Sequence, residues 1–108
     1  MTWLVTVNGD DVVVALDGEL DVSNVDAVAA TFASTFTEQP KRITLELRAL
    51  RYCDSAGLRC LLDASSEATR IGCALVAQNP SRSVARLLDL TGVSALLLDD
   101  ADPAARAG

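Results

Sequence analysis

Residues 43–62 read ITLELRALRYCDSAGLRCLL, and a change of period inside this stretch decides the fold. Ile43, Leu45 and Leu47 alternate with Thr44, Glu46 and Arg48, which is the two-residue period of a strand with one less buried face. From Ser55 the spacing becomes helical. Leu58, Leu61, Leu62, Ser65 and Ala68 form an inward stripe, and Gly72 stands where a helix end takes a left-handed residue. A strand that hands over directly to a helix is the repeating unit of a parallel α/β sheet.

The flanking sequence extends the same alternation. Thr2 to Asn8 reads as a short strand, Gly9-Asp10 as a turn, and Asp11 to Asp17 as a buried strand carrying Val12-Val13-Val14-Ala15-Leu16. So short a link joins two antiparallel neighbours in a hairpin. Val25, Val28, Phe32 and Phe36 then mark a first helix, with Ser23 and Asp26 spaced like a capping box and Pro40 beyond its end. After Gly72, Cys73 to Ala77 is a fourth strand. Pro80 follows Asn79 at a favourable first helical position, and Val84, Leu87, Leu88 and Thr91 continue a third helix to Gly92. Ala95 to Leu98 is a last strand. The expected order is ββαβαβαβ, a single domain over residues 1–98 with a mixed, mostly parallel sheet and an acidic, weakly ordered tail over 99–108. Loops at the carboxyl ends of parallel strands share one edge, so Gly18 to Asp21 and Tyr52 to Gly57 are expected side by side.

Composition narrows the chemistry. The chain has 108 residues, half of them apolar, which suits one compact core. With a net charge of −6 and scattered Lys and Arg, nucleic acid is not expected as a partner. No leader or membrane-spanning stretch is legible, so a cytoplasmic location is expected. There is no His, which removes His-based metal sites, Ser-His-Asp and Cys-His pairs, and a His general base. Phosphate-binding Gly-rich loops are missing too. An enzyme is not expected, nor is a cofactor or metal; a small hydrolase built on Ser55, with Lys41 far away, is the weakest reading.

The residues that remain are Asp54-Ser55-Ala56-Gly57 at the strand-to-helix junction. A serine there is exposed, close to the unpaired N–H groups and positive dipole end of the helix. A phosphate on it would be accepted locally and would add roughly −1.5 to −2 charges beside Asp54 and, across the edge, Asp21. Asp54 or Ser55 serves equally well as a helix N-cap, and the residues alone leave both roles open.

Gly18-Glu19-Leu20-Asp21, Asp54-Ser55-Ala56-Gly57-Leu58 and Val84-Ala85-Arg86-Leu87-Leu88-Asp89-Leu90-Thr91-Gly92 together resemble the three signatures of STAS-domain anti-sigma factor antagonists, in the same order and at similar spacing. The resemblance implies a protein that binds an anti-sigma factor with a GHKL-type kinase domain and thereby frees a sigma factor. It implies phosphorylation of Ser55 as the off-switch, a PP2C-type phosphatase to reverse it, and a binding surface of Asp21, Asp54, Ser55, Ala56 and Gly57. The third signature reads as packing and C-cap of the last helix. Two departures are Ala56, where many relatives carry a second hydroxyl, and Cys53, where bulky apolar residues are common. A standalone STAS subunit of a transporter or lipid-trafficking complex is the alternative; a stress-signalling scaffold is a third.

Cys53, Cys60 and Cys73 read as structural thiols too far apart for an internal disulfide, with Cys53 the one expected at the surface and able to link two molecules. Trp3, Tyr52 and the two Phe read as core or edge packing, and the outer strands leave a monomer or weak dimer open.

Overall fold

The computed structural model describes residues 1–91. Its elements are β1 (Thr2–Asn8), β2 (Asp11–Leu20), α1 (Val25–Thr37), β3 (Arg42–Cys53), α2 (Ser55–Ile71), β4 (Ala74–Gln78) and α3 (Arg82–Thr91). The seven follow the expected order. Gly92, the strand expected over 95–98 and the acidic tail lie outside the described residues.

The four strands form one sheet in the order β1-β2-β3-β4. β1 pairs antiparallel with β2 from Thr2↔Asp17 to Asn8↔Asp11, and the Gly9-Asp10 turn closes with Gly9 at φ 64°. That positive φ at the first turn residue suits a tight hairpin and costs glycine nothing. β2–β3 and β3–β4 are parallel. Both crossovers step the same way along the sheet, so right-handed connection puts α1 and α2 on one face. Between them and the sheet lies the core of Leu16, Leu20, Val28, Ile43, Leu45, Leu47, Leu50 and Leu61, each at most 1% exposed.

β2 and β3 run further than their sequence pattern suggests, reaching Leu20 and Cys53. The cause is a pair of irregularities. Register between the two strands shifts between Ala15 and Asp17 and again between Gly18 and Glu19. Opposite these shifts β3 carries extra residues, and its inward positions run Ile43, Leu45, Leu47, Leu50, Cys53, a step of two that becomes a step of three. Bulges of this kind re-aim side chains near a strand end, and they erase the alternation by which a strand is recognised. The junctions therefore contract: the loops expected over 18–21 and 52–57 become the short 21–24 connection and Asp54 alone.

Helix ends follow local chemistry. α2 closes on Gly72 at φ 77°, whose N–H donates to the Thr69 carbonyl while that of Cys73 reaches Ala68. The Ser23–Asp26 capping box does not form. Asp21 Oδ1 takes both the N–H and the hydroxyl of Ser23, and the N-cap falls on Asn24, whose side chain bonds elsewhere. α3 starts at Arg82, later than Pro80 suggests, because Ser81 Oγ accepts from the Val84 N–H and acts as the cap.

All three cysteines are free and buried. Cys53 is thus not the surface thiol expected of it: the bulge turns it inward, and burial, with Asp54 beside it, pushes its thiol up to about 12. Cys60 and Cys73 are raised as well, chiefly by burial.

The first turn of α2 is pressed against the end of β2. A Cβ placed on Gly57 would lie 2.5 Å from the Leu20 carbonyl oxygen, 2.8 Å from Cys53 Sγ and 2.9 Å from Leu20 Cγ. Gly57→Ala is expected to destabilise the domain by about 1–3 kcal/mol, read as a lower urea midpoint, since backbone must move to admit the methyl. Alkylation at pH 8 is expected to label the three native thiols at least ~100-fold more slowly than the denatured chain. The Cys53 value in the fold lies above its ordinary 9.0. Its contribution to stability is therefore complete below pH 9 and declines as pH climbs towards 12, which titration of stability for Cys53→Ala against the parent chain would register as a shallower alkaline slope in the variant.

Candidate functional site

Asp54 organises the edge where β2 and β3 end. It is the N-cap of α2, in extended conformation at φ −87° and ψ −174°, and its Oδ1 accepts from the Gly57 N–H at 2.8 Å. Oδ2 accepts from the Val22 N–H at 3.2 Å, 32 residues away in sequence, and the Asp54 N–H donates to the Leu20 carbonyl at 3.1 Å. One aspartate thereby caps a helix and ties the β2–α1 connection to it. Both of its carboxylate oxygens are engaged within the chain, so the cap role holds for Asp54 and leaves Ser55 free of it.

Ser55 is the first residue of α2 and is exposed. Its hydroxyl has no hydrogen-bond partner among the described residues. The first intrahelical bond runs from the Leu58 N–H to the Asp54 carbonyl at 2.9 Å, so the amides of Ser55 and Ala56 come before the ladder begins. With the Gly57 amide already taken by Asp54, these two amides and the dipole of a 17-residue helix are what this end offers an anion.

The facing connection is equally ordered. The Asp21 N–H donates to Asn24 Oδ1 at 3.0 Å, Asn24 Nδ2 donates to the Glu19 carbonyl at 2.8 Å, and the Asp21 carbonyl receives the N–H groups of Asn24 and Val25. The Ser23 hydroxyl and amide hold the Asp21 carboxyl below the usual carboxylate range, so it carries its charge at neutral pH. Asp21 and Asp54 thus place two carboxylates on the edge that presents Ser55, each fixed by backbone donors.

The structure brings Asp21, Asp54 and Ser55 together and half-exposes Ala56. Gly57 is placed differently from a contact residue: it is buried under Leu20, and its part is to let the helix seat. Two residues escaped the sequence reading. Val22 is 75% exposed in the β2–α1 connection, and Tyr52, next to last in β3, is 53% exposed. Tyr52 is not core packing; it borders a shallow hollow of about 190 Å³ shared with Ser83, Val84 and Leu87 of α3. An apolar side chain in a loop has no periodic partner to betray it, and the bulge hides which way residue 52 points. Among the described residues no cluster of His, Cys, Asp or Glu is arranged to hold a metal ion, and no helix is long and apolar enough to cross a membrane.

A family model described as STAS domain matches residues 2–103. Among curated proteins no sequence matches the chain. Several solved structures do resemble it. The anti-sigma factor antagonist SpoIIAA in its unphosphorylated form has a TM-score of 0.79 at 23% identity, over 96% of this chain and 92% of that one. Its phosphorylated form, from Bacillus, has 0.73 at 20% identity, over 99% and 100%. An anti-sigma factor antagonist from Mycobacterium paratuberculosis has 0.76 at 25% identity, over 98% and 92%. A sulfate transporter family protein from Wolinella succinogenes has 0.73 at 20% identity, over 84% and 75%. A match that spans nearly the whole sequence, on a fold with these strands and helices in this order, means that the chain belongs to the STAS domain family.

Proposed function

We propose that this protein is an anti-sigma factor antagonist whose docking edge is formed by Asp21, Val22, Tyr52, Asp54, Ser55 and Ala56. Its partner is an anti-sigma factor with a GHKL-type kinase domain, and phosphorylation of Ser55 is the off-switch, reversed by a PP2C-type phosphatase. The observation that carries the reading is the exposed, uncommitted hydroxyl of Ser55 at the start of α2, on the edge that also carries the fixed carboxylates of Asp54 and Asp21. The likeness to antagonists solved in unphosphorylated and phosphorylated forms agrees with it.

The physics of the switch is local. Before modification the edge offers a partner Val22 and Tyr52 as apolar contact and Ser55 as a small polar group. A phosphate there adds roughly −1.5 to −2 charges next to Asp54 and Asp21 in a chain already at −6. The first-turn amides and the helix dipole hold the dianion in place. A partner packed on that edge meets bulk and repulsion, and losing about 1.4 kcal/mol is already tenfold in affinity. Nothing inside the domain has to move.

Incubation with the anti-sigma kinase and ATP is expected to add one phosphate, with Ser55→Ala acquiring none in mass spectrometry. Ser55→Ala should keep its affinity for the kinase by calorimetry, whereas Ser55→Asp should lose at least about tenfold. Wild-type affinity in Ser55→Asp would defeat the electrostatic account. Val22→Ala and Tyr52→Ala are expected to weaken the complex by about 1 kcal/mol or more each with little change in melting temperature, because both side chains are already solvated in the free protein.

A further inference from the structure

The outer edge of the sheet is unlike the rest of the surface. β1 reads Thr2-Trp3-Leu4-Val5-Thr6-Val7-Asn8, without an ionisable side chain in a chain of net charge −6. Leu4 is 67% and Val7 68% exposed, Val5 38%. Edge strands of soluble proteins are normally blunted by Lys, Pro or a bulge, because a free row of N–H and C=O groups is a template for another strand. β1 has none of these.

Its register says which groups are free. The two-residue turn closes on the pair Asn8↔Asp11, and antiparallel pairs alternate between bonded and non-bonded. Asn8, Thr6, Leu4 and Thr2 therefore spend their backbone bonds on β2, and Trp3, Val5 and Val7 direct theirs outward. The side chains of these same three lie over Leu16, Val14 and Val12, on the α1 face. There Val5 and Val7 form one wall of an open groove of about 640 Å³ whose other wall is α1, with Ala30, Thr31 and Ser34.

We propose that β1 pairs with β1 of a second copy, antiparallel about a two-fold axis at Val5, to make one continuous sheet. The arrangement is self-complementary. Val5 meets Val5, and Trp3 of each copy meets Val7 of the other, so every outward N–H and C=O of these residues finds a partner. Trp3 of the second copy then rests over Val7 at the mouth of the α1 groove. On the opposite face Leu4 meets Thr6 of the other copy, and both strongly exposed apolar residues of the strand are covered. The neutral, self-complementary strand fits a second copy despite the charge of the chain. Two chains of −6 repel wherever their acidic surfaces meet, and this strand can be shared without bringing carboxylates together. A single strand pair is a small contact beside the ~1,200 Å² or more that stable interfaces bury, so the dimer is weak and reversible.

Sedimentation velocity of the full chain over roughly 5–500 µM is expected to show a reversible monomer–dimer equilibrium. Trp3 is the sole tryptophan, so its emission should move to the blue along the same curve. Val5→Pro removes an N–H that makes no bond within the domain; it should keep the parent circular dichroism and abolish the dimer. Val7→Lys, at a solvated position, should weaken association at least about tenfold. Should Val5→Pro misfold, Val7→Lys decides alone. A parent chain monomeric throughout the range, or a dimer of unchanged affinity in a folded variant, overturns the proposal.

Discussion

The contact between the first turn of α2 and the end of β2 is the constraint on which the functional edge rests. It works only because position 57 has no side chain, since any Cβ would collide with the Leu20 carbonyl. With helix and strand this close, the Asp54 carboxylate spans both, one oxygen on its own helix and the other on the Val22 amide. The helix start, the strand end and the following connection are thereby bonded to one another. Ser55 is carried on that junction, and its exposure follows from the fit of its neighbours.

Much of this was legible from sequence, for reasons that can be named. The hairpin, the start of α2 at Ser55 and its end at Gly72 depend on nearest neighbours: a two-residue turn, an aspartate before an amphipathic stripe, a glycine in the left-handed region. Local rules suffice for such features. The ends of β2 and β3 were not legible, because paired bulges replace a step of two by a step of three and the alternation stops well before the strand does. The same event misled the reading of Cys53, turned inward, and of Tyr52, turned outward. Ser23 and Asp26 have capping-box spacing, yet Asp21 competes for the same serine and wins by forming a tighter local turn.

The candidate site divides along similar lines. Asp21, Asp54 and Ser55 are found together because the topology of parallel strands collects their carboxyl ends. What sequence could not distribute was labour among adjacent residues. Asp54 is committed to architecture by two backbone amides, Gly57 to close packing, and Ser55 to neither. Three positions of one four-residue stretch thus have three physical fates, and only accessibility and bonding separate them.

The free state of the Ser55 hydroxyl has a consequence for timing. In the proposed switch no internal bond is broken when the phosphate arrives and none must be remade when it leaves. The domain keeps no record of its past modification, and recovery has no refolding delay. How long a signal lasts is then set wholly by the enzymes that add and remove the group, and the cell can retune that duration through their abundance while this chain stays unchanged.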